Sequence, residues 1–203
     1  FSRAGELLMT LGTAGIAGDG QNEFNSPSAV LVAPNGDIFV GDGHGDDSNA
    51  RIVKFSADGS YLLEWGGKGA GVGEFETPHA LAMDSKGRLF VGDRENSRIQ
   101  IFDQQGNFLD EWTQFGRPSG LYIDQNDILY VADSQSDDGD NTLRPDWNEG
   151  IRIGSATDGK VTAFIDDPDS NGSQEGVTAD INGVVYVSLT RDMVLRRYVL
   201  KEH

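Results

Sequence analysis

One pattern recurs four times in this chain and limits the folds open to it more than any other feature. The four copies are "SPSAVLVAPNGDIFVGDG" from Ser26, "TPHALAMDSKGRLFVGDR" from Thr77, "RPSGLYIDQNDILYVADS" from Arg117 and "SQEGVTADINGVVYVSLT" from Ser173. Each begins with small or polar residues and continues as an alternating apolar run. A short turn rich in Asn, Asp and Gly follows, then a second apolar run. Alternation in short runs bounded by turn residues predicts a β-hairpin. A third strand follows each hairpin, at 50–56, 97–103, 150–156 and 194–200. A fourth follows in three of the units, as "GSYLLEWG", "GNFLDEWT" and "GKVTAFID". No long helix is indicated.

The copies start 51, 40 and 56 residues apart, and four antiparallel strands per ~40–50 residues are the signature of a propeller blade. One such sheet has two apolar faces and cannot cover both, whereas stacked blades bury each face against a neighbour. The expected fold is therefore an all-β propeller forming a single domain over 1–203, with blades at 26–66, 77–113, 117–167 and 173–203. The opening "FSRAGELLMTLG" has the form of "FSADGSYLLEWG" and "FDQQGNFLDEWT", so residues 1–20 read as the tail of a preceding blade. The strand at 5–11 then either closes the last blade of a small ring or belongs to a larger propeller of about six blades. An open ring exposes two blade faces, which predicts self-association.

Composition narrows function by exclusion. Sixteen Lys and Arg against thirty-three Asp and Glu give a formal charge of -17, a field that repels phosphate backbones, so nucleic acid is not an expected partner. No apolar run reaches the ~18 residues of a membrane span. Absence of Cys removes disulfides and thiolate metal sites. No phosphate-binding glycine loop stands in a strand–loop–helix setting, and no nucleophile elbow is present.

Equivalent repeat positions meet around a propeller axis, which gathers Ser28, His79, Ser119 and Glu175 at one mouth of the channel. Asp42, Asp93 and Asp133 recur at the end of the second strand and are expected to bind the backbone of the turn that follows. Arg51 and Arg98 recur on the third strand, and are expected to pair with these or neighbouring carboxylates across blades. The segment "DSQSDDGDNTLRPDWNEG" replaces a short turn with a long acidic loop. Its Asp137, Asp138 and Asp140 offer oxygens to calcium, though not at EF-hand spacing. Trp147 in that loop either pins it to the ring or contacts a ligand.

The wording "VGDRENSRIQIFDQQGNFL" and "VGDGHGDDSNARIVKFSADGSYLLEWG" resembles NHL repeats, and "FETPHALAMDSKGRLFVGDRENSRIQIF" is most similar to the propeller lyases that cleave peptidyl-alpha-hydroxyglycine to an amidated peptide and glyoxylate. The resemblance implies a zinc ion held by three histidines, each at a Pro-His strand start of a different blade. His79 matches one of them, Glu175 stands where the family has another, and the third belongs to a blade upstream of residue 1. The family's active-site arginine matches Arg94, and its tyrosine position is occupied by His44. In such an enzyme zinc lowers the pKa of the substrate hydroxyl while the arginine holds a carboxylate or stabilises developing oxygen charge. The resemblance also implies a secreted or periplasmic setting, although these residues carry no signal-peptide profile. Three functions follow: a metal-dependent lyase acting on a peptide or small molecule at the channel mouth; a non-catalytic NHL propeller that binds a protein, peptide or glycan; and a calcium-dependent sugar-lactone hydrolase, drawn from Glu175 in "QEGV".

Overall fold

A computed structural model of the chain describes residues 1–136, 147–166 and 174–199. It is all β. The first blade comprises β1 (Pro27–Val32), β2 (Ile38–Asp42), β3 (Arg51–Phe55) and β4 (Tyr61–Gly66). The second comprises β5 (Pro78–Met83), β6 (Leu89–Asp93), β7 (Arg98–Phe102) and β8 (Phe108–Trp112). The third comprises β9 (Pro118–Ile123), β10 (Ile128–Asp133), β11 (Gly150–Ser155) and β12 (Val161–Asp166). The fourth has three strands among the described residues, β13 (Gln174–Ala179), β14 (Val185–Leu189) and β15 (Val194–Tyr198). Every sheet is an antiparallel meander in chain order. The inner strands pack in succession, β1 on β5, β5 on β9 and β9 on β13. No helix among the described residues is long and apolar enough to cross a membrane.

The core lies between the blades. Phe39 and Ile52 of the first blade pack on Leu81, Leu89 and Val91 of the second. Phe90 and Ile99 of the second pack on Leu129 and Val131 of the third. Tyr130 and Ile151 of the third pack on Val185 and Val187 of the fourth. Burying a side chain of this size contributes about 1.5–3 kcal/mol, so each junction is held by several such increments. The outermost faces have no such cover. Val30, whose counterpart in the second blade, Leu81, is 8% exposed, is itself 69% exposed, and Val32 is 63% exposed.

In the first two blades a buried ion pair ties the incoming linker to the sheet. Arg98 donates through Nε to Asp93, and through its terminal nitrogens to Glu111 and to the carbonyls of Ala70, Gly71 and Glu74. Arg51 repeats this with Asp42, Glu64 and the carbonyls of Asp19, Gly20 and Glu23. These pairs lie within one blade rather than across blades, because β2 and β3 are neighbours and put Asp42 opposite Arg51. The aspartates also differ from expectation. Asp42 accepts from the Asn25 amide, and Asp93 from the Glu76 and Thr77 amides, so both hold the incoming linker; only Asp133 takes amides of the turn that follows, at Gln135 and Ser136. Burial raises the Asp93 carboxyl above its ordinary value although Asn96, the Glu76 amide and Arg98 act in the opposite sense. Removing Arg98 leaves that carboxylate buried without its cation. Arg98→Ala should therefore lower the unfolding free energy by about 3–5 kcal/mol, measured by urea denaturation.

Candidate functional site

The residues expected at the channel mouth share a backbone feature that places them there. In every inner strand the ladder to its neighbour slips by one residue, and the slipped residue is Ser28 in β1, His79 in β5, Ser119 in β9 and Glu175 in β13. A bulge leaves its extra residue outside the ladder and re-aims the side chain. Consecutive blades then connect through these residues. Ser28 Oγ donates to the Pro78 carbonyl at 2.6 Å, and His79 Nδ1 lies 2.7 Å from the Ser119 carbonyl. Ser119 Oγ and Ser134 Oγ are 2.6 Å apart, and Ser134 Oγ reaches Glu175 at 3.4 Å. Close approach of the last two inner strands depends on Gly120, where a β-carbon would stand 2.6 Å from the Glu175 carbonyl oxygen.

His79 is the centre of the cluster. A carbonyl oxygen only accepts, so the contact with Ser119 requires the proton on Nδ1 and leaves Nε2 with its lone pair. Nε2 faces Glu175 Oε2 at 3.7 Å, with side-chain exposures of 15% and 27%. The ring of His44, on the loop after β2, stands 5.1 Å from that of His79, centroid to centroid. Burial, then the charge of Arg94, hold His79 below the ordinary imidazole value of 6.5, against the raising effects of the Ser119 hydrogen bond and Glu175. The imidazole is thus kept neutral, the form that binds metals and accepts protons.

Arg94 stands beside this pair at the end of β6. Its Nε donates to Glu95 at 3.2 Å, and the other oxygen of Glu95 accepts from Arg117. The four residues singled out from the sequence, Arg94, His44, His79 and Glu175, therefore gather at one end of the inner strands. The pairing of Arg94 with the adjacent Glu95 was the structural alternative the sequence offered for that arginine, and it is present; Arg117 and Ser134 were not singled out. Ser134 follows Asp133 as Arg94 follows Asp93, and that equivalence was the signal available for it. The calcium candidates Asp137, Asp138 and Asp140 lie outside the described residues. Trp147 pins the end of the acidic loop, since the Arg152 guanidinium lies 4.4 Å from its ring centroid and 4.8 Å from that of Phe164.

His79 and Glu175 suit two arms of one zinc site. An imidazole nitrogen and a carboxylate oxygen bound at about 2.0–2.2 Å to a common ion stand roughly 3.4 Å apart at a tetrahedral angle, close to the 3.7 Å observed. The Ser119 carbonyl supplies the outer contact that orients a metal-binding imidazole. Among the described residues no group of three His, Asp or Glu gathers around a common point.

Comparison with known proteins bears on the repeat. Residues 75–102, which hold β5 to β7 together with His79 and Arg94, match the NHL repeat model. Human NHL repeat-containing protein 3 is 38% identical over 96 residues, 46% of this chain and 27% of that protein. Peptidyl-alpha-hydroxyglycine alpha-amidating lyase 1 of Drosophila melanogaster is 39% identical over 87 residues, 39% of this chain and 15% of that protein. The chain thus spans well under two thirds of the length of the curated relatives it matches. Among solved structures, hydrazine synthase of Kuenenia stuttgartiensis superposes with a TM-score of 0.62 at 16% identity, over 89% of this chain and 46% of that one, a likeness of fold.

In metal-free protein the His79 titration followed by NMR should have its midpoint below 6.5, and Arg94→Met should move it upward. The folded state binds this proton less readily than the unfolded chain. The contribution of His79 to stability is accordingly complete above the ordinary imidazole range and falls as the pH drops below 6.5.

Proposed function

We propose that this mouth is a lyase site of the peptidyl-alpha-hydroxyglycine amidating type, with zinc held by His79 and Glu175. The observation that supports this reading most is the bulged His79, its Nδ1 committed to the Ser119 carbonyl and its Nε2 facing Glu175 across 3.7 Å. Zinc, when bound, polarises the substrate hydroxyl and lowers its pKa. The chain's own groups do the rest. Arg94 receives the carboxylate of the terminal hydroxyglycine, a role suited to a planar guanidinium, while Glu95 and Arg117 fix its direction. His44, exposed and facing His79, accepts the hydroxyl proton and returns it to the amide nitrogen as the carbon–nitrogen bond breaks. The products are an amidated peptide and glyoxylate.

A second reading is a non-catalytic NHL propeller that binds a peptide at the same mouth. It is favoured by the match to NHL repeat-containing protein 3, 38% identical over 96 residues. The acidic surface suits basic partners.

Zinc binding followed by calorimetry, together with glyoxylate release from an alpha-hydroxyglycine peptide, tests both readings. The lyase reading expects zinc to bind and His79→Ala to weaken it by more than the ~10–100-fold typical of outer-contact changes, with turnover lost in Arg94→Ala. Peptide binding without zinc or turnover, unchanged in His79→Ala, would leave the binding module instead.

A further inference from the structure

His79 and Glu175 stand on the second and fourth blades. The third blade lies between them, and its inner strand β9 packs on both β5 and β13. Two serines of that blade reach both neighbours. Ser119 is the slipped residue of β9, and Ser134 directly follows β10. They are 3% and 1% exposed, so water does not stand in for a lost partner at either hydroxyl. The Ser119 carbonyl lies 2.7 Å from His79 Nδ1, its hydroxyl 2.6 Å from that of Ser134, and Ser134 Oγ reaches Glu175 Oε1 at 3.4 Å.

Donor and acceptor chemistry gives this row one direction. An ionised carboxylate only accepts, so Ser134 directs its single hydroxyl proton at Glu175. Ser119 must then donate to Ser134, which has no second proton to give. Both hydroxyl protons are thus ordered by the carboxylate at the end of the row, and hydrogen bonds aligned in this way polarise one another. On the other side of the same residue, the Ser119 carbonyl accepts from His79.

The backbone alone leaves the carboxylate loose. Close packing at Gly120 fixes the main chain of Glu175, but a glutamate side chain turns about three torsions and has much rotamer freedom to lose. This one is 27% exposed at the mouth. With Oε1 held by Ser134, it is Oε2 that faces His79 Nε2 across 3.7 Å.

We propose that Ser134 is a positioning residue for Glu175. Backed by the buried Ser119 hydroxyl, it holds Oε1 and so aims Oε2 at His79, and the third blade thereby sets the geometry of both groups between which zinc is placed. Outer contacts of this kind orient metal-binding groups and support their affinity. The consequence for zinc rests on the lyase-site reading, whereas the aim of the carboxylate does not.

Two measurements on the whole chain separate these statements. In metal-free protein, three-bond NMR couplings along the Glu175 side chain should report one rotamer in the wild type and an average over rotamers in Ser134→Ala. The His79 Nδ1 proton, held by the Ser119 carbonyl, should stay in slow exchange in that variant, so that the loosening is confined to Glu175. In calorimetry with zinc alone, Ser134→Ala should weaken binding about 10–100-fold. Averaged couplings in the wild type, or a rotamer undisturbed by the substitution, would overturn the proposal. Loss of the slow His79 proton together with the Glu175 rotamer would overturn it as well, because Ser134 would then support the mouth as a whole. Zinc affinity unchanged in Ser134→Ala would do the same. A wild-type protein that orders Glu175 through Ser134 and binds no zinc would keep the positioning role and overturn the lyase reading alone.

Discussion

Each sheet of this protein is apolar on both faces, and a narrow ribbon of three or four strands cannot shield either one from water. Stacking blade on blade resolves this, and the rest of the molecule follows from it. Each interior lies at a junction between sheets, so consecutive inner strands must run close together. Their close approach demands residues without bulk at the crossing, which is why Gly120 sits against the Glu175 carbonyl. It also brings the first residues of all four inner strands to one place.

That convergence alone gathers backbone. The register slip at each strand start turns it into a site. Because Ser28, His79, Ser119 and Glu175 each stand outside the ladder, their side chains are released from the alternation that would otherwise send them into a junction. His79 is then held by a carbonyl of the next blade, so the geometry of the imidazole depends on the same stacking that builds the core. Arg94 contributes from the neighbouring strand, where it follows the buried Asp93 that anchors the linker. Structure and site are therefore coupled through single residues: the aspartate that fixes the chain path also fixes where the adjacent arginine begins.

Much of this was legible in the sequence. Alternating runs and turn residues gave the strands, and repeat equivalence gave the ring of Ser28, His79, Ser119 and Glu175. The resemblance to amidating lyases pointed to His44 and Arg94: the His44 ring stands 5.1 Å from that of His79, and the charge of Arg94 acts on the same imidazole. What escaped notice depends on register and on long-range folding. The bulges are invisible without knowing which residues pair. The capture of linker carbonyls by Arg51 and Arg98 could not be inferred either, because the acceptors are backbone atoms whose positions no side-chain pattern encodes. Arg117 reaches Glu95 across a blade boundary, and neither residue has a counterpart of the same type in the other repeats that would have marked it.

The recurrence of the register slip at the same point of every blade separates two kinds of inheritance. The stacking of the blades is specified by residues facing the junctions, whereas the chemistry of the mouth is written in four side chains that stand outside the strand ladders. Serine, histidine and glutamate already alternate among those places within this one chain, so the same scaffold can present different chemistry at its mouth while its apolar seams stay as they are.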